Sequence, residues 1–261
     1  MTGTRRMRID QLLVARGMFE SRARARAAIE AGQVMIEGAP VTKPAQMVSA
    51  EAAVEAGPAH PYVSRGGVKL AAALAHFKVD PKRKICLDVG ASTGGFTDVL
   101  LRAGARRVYA VDVGSGQLHP SLRDRAGVVS LEKSDIRKLD PERISDKVEL
   151  IAVDVSFISL KLILPVLSRF AAPGAVLLAL AKPQFEVGRK LLHKGIVRDL
   201  EAQRAACRDI AALAGSLGWE VLGTIESPIL GGDGNREFII SARWNPSTNI
   251  DESRRDLGAN A

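Results

Sequence analysis

The stretch KICLDVGASTGGFTDVLLRAGARRVYAVDVG, residues 84–114, constrains the fold more than any other part of the chain. Ile85 to Val89 form an apolar run, Gly90 to Gly95 a small-residue loop, Phe96 to Arg102 a helical stretch, and Val108 to Val113 a second apolar run. That is a complete βαβ unit, and strands apolar on both faces belong to a parallel sheet covered by helices. The pattern recurs. LIAVD ends on Asp154, and six apolar residues, Val176 to Ala181, stop at Lys182-Pro183. Alternating strands and helices predict an α/β fold with a doubly wound sheet. Such sheets build their sites beyond the carboxyl ends of the strands, where Asp154 and Lys182 stand. GNREFIISARW starts a strand at Glu237 after a turn with Gly231, Gly232 and Gly234. If that strand is antiparallel, its start lies at the same edge. Lys69, in SRGGVKLAAALAHF, precedes the first strand on a helix and can join the other three. Each charge alone reads equally well as the point where the chain enters water.

The loop after the first strand is G-A-S-T-G-G-F. A dinucleotide site calls for G-x-G-x-x-G, which this spacing does not provide. The glycines also suit a plain tight turn. The form D-V-G-x-x-x-G-G-F resembles the S-adenosylmethionine loop of class I methyltransferases. The resemblance implies cofactor contacts at Gly90, Ser92, Thr93, Gly94, Gly95 and Phe96. It places Asp88 near the amino-acid end of the cofactor, Asp112 at the ribose diol, Asp135 at the adenine amine and Asp154 nearby.

The first 56 residues have another character. RIDQLLVARG has helical spacing and closes on Gly17; ESRARARAAIEAG starts at a capping Ser21 and closes on Gly32. QVMIEGAPV alternates around a Glu37-Gly38 turn, and a further short strand is expected to include Met47 and Val54. Arginines crowd the two helices (Arg5, Arg6, Arg8, Arg16, Arg22, Arg24 and Arg26) against Asp10 and Glu20. Arg22 and Arg26 share a face, with Arg8 and Arg16 near it. The set Ser21, Arg22, Ala25, Ile29, Gly32, Val34, Ile36 and Gly38 resembles the small RNA-binding domain named after ribosomal protein S-four. Guanidinium groups on such a frame can bond phosphate bidentately. The organisation expected is an α+β RNA-binding domain over 1–58, a linker over 59–65, a catalytic domain over 66–244 and a polar tail over 245–261.

Composition sets limits on function. A net charge of +8 favours a polyanionic partner, and only 4% aromatic residues favour backbone recognition over extensive base stacking. Cys86 and Cys207 fall in a strand and a helix, as reduced core residues of a cytoplasmic protein do. No apolar run approaches the ~18 residues of a membrane span. The four histidines, His60, His76, His119 and His193, have no metal-ligand spacing, so no metal is expected.

The order Lys69, Asp154, Lys182, Glu237 resembles the tetrad of FtsJ-like ribose 2′-O-methyltransferases. With VSRGGVKL, DVSFISL, AKPQFEVG and GNREF, residues 7–244 are similar to the TlyA family, often labelled hemolysin A. The resemblance implies a Rossmann-like, seven-stranded mixed sheet of order 3-2-1-4-5-7-6. It implies S-adenosylmethionine as cofactor, ribosomal RNA or ribosomal subunits as partner, and methylation of a cytidine 2′-hydroxyl. Lys182 is the expected base or oxygen-steering group, with Lys69 as a second cation and Asp154 and Glu237 as orienting acids. Asp154-Val155-Ser156-Phe157 stands where exocyclic amine methylation shows Asn/Asp-Pro-Pro-aromatic. The cysteines are misplaced for carbon-5 pyrimidine chemistry. Arg65 and Lys190 are candidate phosphate contacts, and Phe157, Phe185 and Phe238 flank the expected site. A catalytically silent ribosome-assembly factor is an alternative, and a membrane-active cytolysin a more distant one.

Overall fold

A computed structural model of the chain describes residues 6–246. Arg5 and all but the first two residues of the polar tail lie outside the described residues. The contacts divide the chain into two units, Met1–Pro61 and Tyr62–Ala261.

In the first unit, β1 (Arg6–Arg8) runs into α1 (Ile9–Ala15), followed by α2 (Arg22–Glu30), β2 (Val34–Ile36), β3 (Ala39–Pro40), β4 (Met47–Ser49) and β5 (Val54–Ala56). Ser21 caps α2 by accepting the Arg24 amide at 3.3 Å. Glu37 and Gly38 both have positive φ, 50° and 78°, as a two-residue hairpin between β2 and β3 requires. Met47 and Val54 fall in separate strands rather than one: β4 pairs with β1 and β5 with β2. Ile9, Leu13, Ala25, Ile29 and Val34 make a small apolar core.

The second unit begins with α3 (Gly66–His76), β6 (Ile85–Val89), α4 (Gly95–Arg102) and β7 (Arg107–Val111). There follow α5 (Pro120–Arg123), β8 (Val128–Leu131), β9 (Val148–Val153), α6 (Leu164–Leu167) and β10 (Ala171–Ala181). The described residues end with α7 (Pro183–Glu186), β11 (Leu192–His193), β12 (Ile196–Val197), α8 (Leu200–Ser216), β13 (Trp219–Glu226) and β14 (Phe238–Trp244). The seven-stranded sheet has the order β13-β14-β10-β9-β6-β7-β8, with β14 antiparallel to both neighbours. Read from its other edge this is the expected 3-2-1-4-5-7-6. After Asp154 the chain makes only a 3-10 turn at Leu160–Leu162 and the single turn α6, where Pro165 sits in the first turn.

Alternation along the central strands fills two cores. Leu87, Val89, Ile151, Val153, Leu177 and Ala179 face one side, with Trp219 and Ile210. Cys86, Leu150, Ala152, Leu178, Leu180 and Ile239 face the other, against Leu70 and Ala73 of α3 and Val99 and Leu100 of α4. Burial pushes the thiols of Cys86 and Cys207 up to about 12, so both are inert core groups.

Candidate active site

The same alternation decides where the charges go. Leu150 and Ala152 face α3 and α4, so the next residue in phase, Asp154, faces them too. Leu178 and Leu180 predict that face for Lys182, and Ile239 predicts it for Glu237 on the antiparallel neighbour. Lys69 lies on the buried side of α3 with Leu70 and Ala73. Four side chains from four distant segments thus meet at one sheet edge.

They meet as two ion pairs. Lys69 Nζ donates to Glu237 Oε2 at 2.5 Å. Lys182 Nζ lies 2.6 Å from Asp154 Oδ1 and donates to Ser156 Oγ at 2.8 Å. Lys69, Lys182 and Glu237 are all buried, and each ammonium has its own carboxylate. Ser156 was not among the expected site residues, although it stands two positions beyond Asp154. A side chain at Gly231 would collide with the Glu237 carboxylate, so that glycine leaves room for the pair.

Two cavities share this edge. The smaller, about 190 Å³, is lined by Ser64, Lys69, Thr93, Phe96, Asp154 and Lys182, with Gly90, Ser92 and Gly95 of the loop. The larger, about 550 Å³, is lined by Asp112, Gln117, Asp135, Asp154 and Phe157, with apolar walls from Val111, Val113, Ile136 and Ile158. Gly90, Ser92, Asp154 and Ser156 border both. A volume of this size lies in the range of small-molecule sites, roughly 300–1,000 Å³.

The loop has two glycines that no other residue replaces easily. Gly90 has φ 85°, and a side chain there would strike the Asp154 carbonyl. Gly94 has φ 90° and begins α4, where a side chain would strike Leu118 and Leu122. Asp112 steadies the loop by accepting the amides of Ser92 at 2.8 Å and Gly114 at 2.7 Å. Each of its oxygens keeps a lone pair for a hydroxyl in the cavity. Asp135 borders the cavity, but its carboxylate is held by Arg137, Nη2 to Oδ2 2.6 Å, which lowers its pKa.

Asp88 stands apart from both cavities. It faces the α4 side, is fully buried and lines neither cavity. Thr97 donates to its Oδ2 at 2.6 Å, while Oδ1 has no hydrogen-bond partner. Burial raises its pKa to about 7. It supports the loop from beneath rather than touching the cavity.

None of the arginines expected to meet RNA is idle. Arg8 and Arg22 both bond the buried carboxylate of Asp10, at 2.9 and 3.0 Å. Arg16 donates to the carbonyls of Ala50 and Ala52. Arg26 pairs with Glu30 one turn on, and Arg65 donates to the Leu230 carbonyl at 2.9 Å. Phe157 is 90% exposed, lies 5.3 Å from the Phe185 ring and has φ 64°; Phe238 packs on the core. Among the described residues no group of His, Cys, Asp and Glu is placed to hold a metal ion, and no helix is long and apolar enough to cross a membrane.

A glycine loop above a mixed, mostly parallel sheet, a carboxylate at the second strand, one lysine–carboxylate pair at the fourth and fifth and another between α3 and the start of β14 define a Rossmann-like domain with a built site at one sheet edge. The chain belongs to the FtsJ-like methyltransferase family, whose model matches residues 62–244, and an S4 domain matches residues 7–54. It is 44% identical over 242 residues to the 16S/23S rRNA (cytidine-2′-O)-methyltransferase TlyA of Mycobacterium tuberculosis, covering 92% of this chain and 90% of that protein. It is 38% identical over 235 residues to Hemolysin A of Brachyspira hyodysenteriae, covering 89% and 98%. The solved structure of a protein from Streptococcus thermophilus, described as a candidate hemolysin, is similar with a TM-score of 0.74, 40% identity and coverage of 94% and 90%.

Proposed function

We propose that this protein transfers a methyl group from S-adenosylmethionine to a cytidine ribose 2′-hydroxyl in ribosomal RNA. The observation that carries this reading is the pair of buried contacts, Lys69 with Glu237 and Lys182 with Asp154, on one face of the sheet beside a small-molecule cavity. We assign RNA recognition to residues 1–58, a linker to 59–65 and catalysis to 66–244, acting in the cytoplasm where ribosomes are made.

The larger cavity suits the cofactor. Its charged lining is Asp112, Asp135 and Asp154, and the one guanidinium, Arg137, is already bound to Asp135. Such a lining repels a pyrophosphate and favours a cationic sulfonium. Asp112 would take the ribose diol, Ile136 and Val113 the adenine, and the Gly90–Gly95 loop the amino-acid end. When bound, the cofactor supplies a methyl group already activated by positive sulfur.

The chain then has to place the 2′-oxygen and manage its proton. Lys182 is the group that steers the 2′-oxygen or takes its proton, and Asp154, 2.6 Å from its Nζ, orients it. Ser156 fixes the direction of the amine. This repeats the base-and-orienter arrangement of hydrolytic triads. Lys69 and Glu237 hold each other in register and offer the remaining donors and acceptors to the ribose. In the first unit, Arg8, Arg16, Arg22 and Arg26, with Arg65 in the second, would share unused guanidinium donors with RNA phosphates.

The test is to map 2′-O-methyl groups in ribosomal RNA after reaction of purified subunits with the full chain and S-adenosylmethionine. New methyl groups at cytidine ribose are expected. No incorporation, or methyl groups on bases alone, would refute the reading.

A further inference from the structure

The residues between α7 and α8 include GRKLLHKGIVRD at 188–199, which folds as a short two-stranded ribbon. β11 and β12 pair antiparallel around Lys194 and Gly195, whose φ values of 49° and 82° suit a two-residue hairpin turn. A two-stranded ribbon alone is only marginally stable in water. This one is pinned through its backbone. Buried Asn235 donates to the Gly195 carbonyl at 2.9 Å and accepts the Val197 amide at 3.0 Å. Buried Gln203 donates to the Val197 carbonyl at 2.6 Å.

Those anchors leave the ribbon's cations uncommitted. Arg189, Lys190, Lys194 and Arg198 are exposed, and none of them forms an ion pair among the described residues. The one acid in the segment, Asp199, is occupied at the start of α8 by the amides of Glu201 and Ala202. Several arginines elsewhere are neutralised instead: Arg8 and Arg22 share Asp10, Arg107 pairs with Asp146 and Arg137 with Asp135.

Both ends of the ribbon are fixed to the reaction centre. Lys182 leads directly into α7, after which the ribbon begins. Asn235 lies two residues before Glu237, and its own carbonyl accepts the Gly231 amide at 2.8 Å. Glu186 ties α7 to the Ser159-Leu160 turn, at 2.5 and 2.8 Å.

We propose that this ribbon is a phosphate clamp that holds the RNA strand beside the target ribose, separate from the amino-terminal arginines. The inference deepens the proposed function and rests on it. Unpaired cations on a rigid backbone can bind a polyanion with little side-chain neutralisation to undo, and affinity from such contacts falls steeply with salt.

The test compares full-length wild type with a variant carrying Arg189→Ala, Lys190→Ala, Lys194→Ala and Arg198→Ala. A control loses charge at the amino end of β6, through Lys82→Ala and Arg83→Ala. Binding to a ribosomal RNA fragment without cofactor, read by fluorescence anisotropy, should weaken by at least about tenfold in the ribbon variant. The salt slope should become shallower by about 0.7 per lost contact on single-stranded RNA. KM for RNA should rise while kcat and cofactor affinity stay as in wild type, and the control should do neither. Thermal unfolding checks that the variant is folded. Unchanged binding and salt slope in a folded variant would overturn the clamp. So would a defect seen only on intact subunits and not on bare RNA, which would assign the ribbon to a ribosomal protein. If wild type methylates nothing yet the binding difference is present, the clamp stands and the proposed reaction falls.

Discussion

Lys69 and Glu237 are 168 residues apart in the chain, yet Nζ of one donates to Oε2 of the other at 2.5 Å in a buried position. A pair this enclosed is costly to break from one side, because the surviving charge stays away from water without a partner. Glu237→Ala should therefore destabilise the folded state by about 3–5 kcal/mol. The double variant Lys69→Met, Glu237→Leu should recover most of that loss in urea unfolding and still fail to methylate RNA. A double variant with near-normal turnover would show the pair to be structural only.

Lys182→Ala should lower the methyl-transfer rate by about 10²–10⁴-fold, the usual worth of a placed proton acceptor. Cofactor affinity, measured by calorimetry, should stay close to wild type. Ser156→Ala, which removes the 2.8 Å acceptor of Lys182, should reduce kcat by a smaller factor and leave the cofactor KM alone. Retained turnover in Lys182→Ala would remove that lysine from the chemistry.

Gly90→Ala puts a methyl group against the Asp154 carbonyl at a backbone φ of 85°. The strain should cost on the order of 1–3 kcal/mol of stability. Because Asp154 borders both cavities, cofactor affinity should also fall, by at least about tenfold in calorimetry. Gly188→Ala, which meets no neighbour within 4 Å, is the matched control.

Asp88 gives the fold a pH dependence. Its pKa is raised by burial to about 7, so between its unfolded value near 4 and about 7 the folded state holds a proton that the unfolded state has released. As far as this group is concerned, stability should thus be greatest below about pH 4, fall as pH rises from about 4 to 7, and level off above about 7. The loss is at most about 4 kcal/mol. Denaturant midpoints across pH 5 to 8 should slope downward for wild type, and Asp88→Asn should be flatter. Parallel slopes would show that the Asp88 environment does not control the effect.

Much of this architecture is legible in the sequence. The runs ending at Val89, Asp154 and Lys182 are long and apolar enough to read as buried parallel strands, and the glycine loop between Asp88 and Phe96 fixes the first βα turn. The meeting of Lys69, Asp154, Lys182 and Glu237 is also readable, since Asp154 and Lys182 keep the phase of Leu150-Ala152 and Leu178-Leu180. What could not be read is the detail of pairing. No local pattern says that Ser156 takes a hydrogen bond from Lys182, or that Glu186 reaches back to Ser159. Asp88 shows the limit most clearly. Its position before the loop suggests a ligand contact, but strand phase turns it inward onto Thr97. The arginines of the first unit read as an open basic face, whereas Asp10, fully buried, has already gathered two of them. Charge counts do not reveal which cations are spent inside the fold.

The strand order has a consequence for synthesis. Among the described residues β14 is the last strand made, and it is inserted between β10 and β13 rather than added at a rim. Until it emerges from the ribosome, β10 has one bare flank and β13 has no neighbour at all in the sheet. A chain cut short before Phe238 would expose sticky apolar backbone instead of forming a smaller working enzyme. The unfinished product is thus a candidate for chaperone capture throughout translation, and competence arrives only with the final strand.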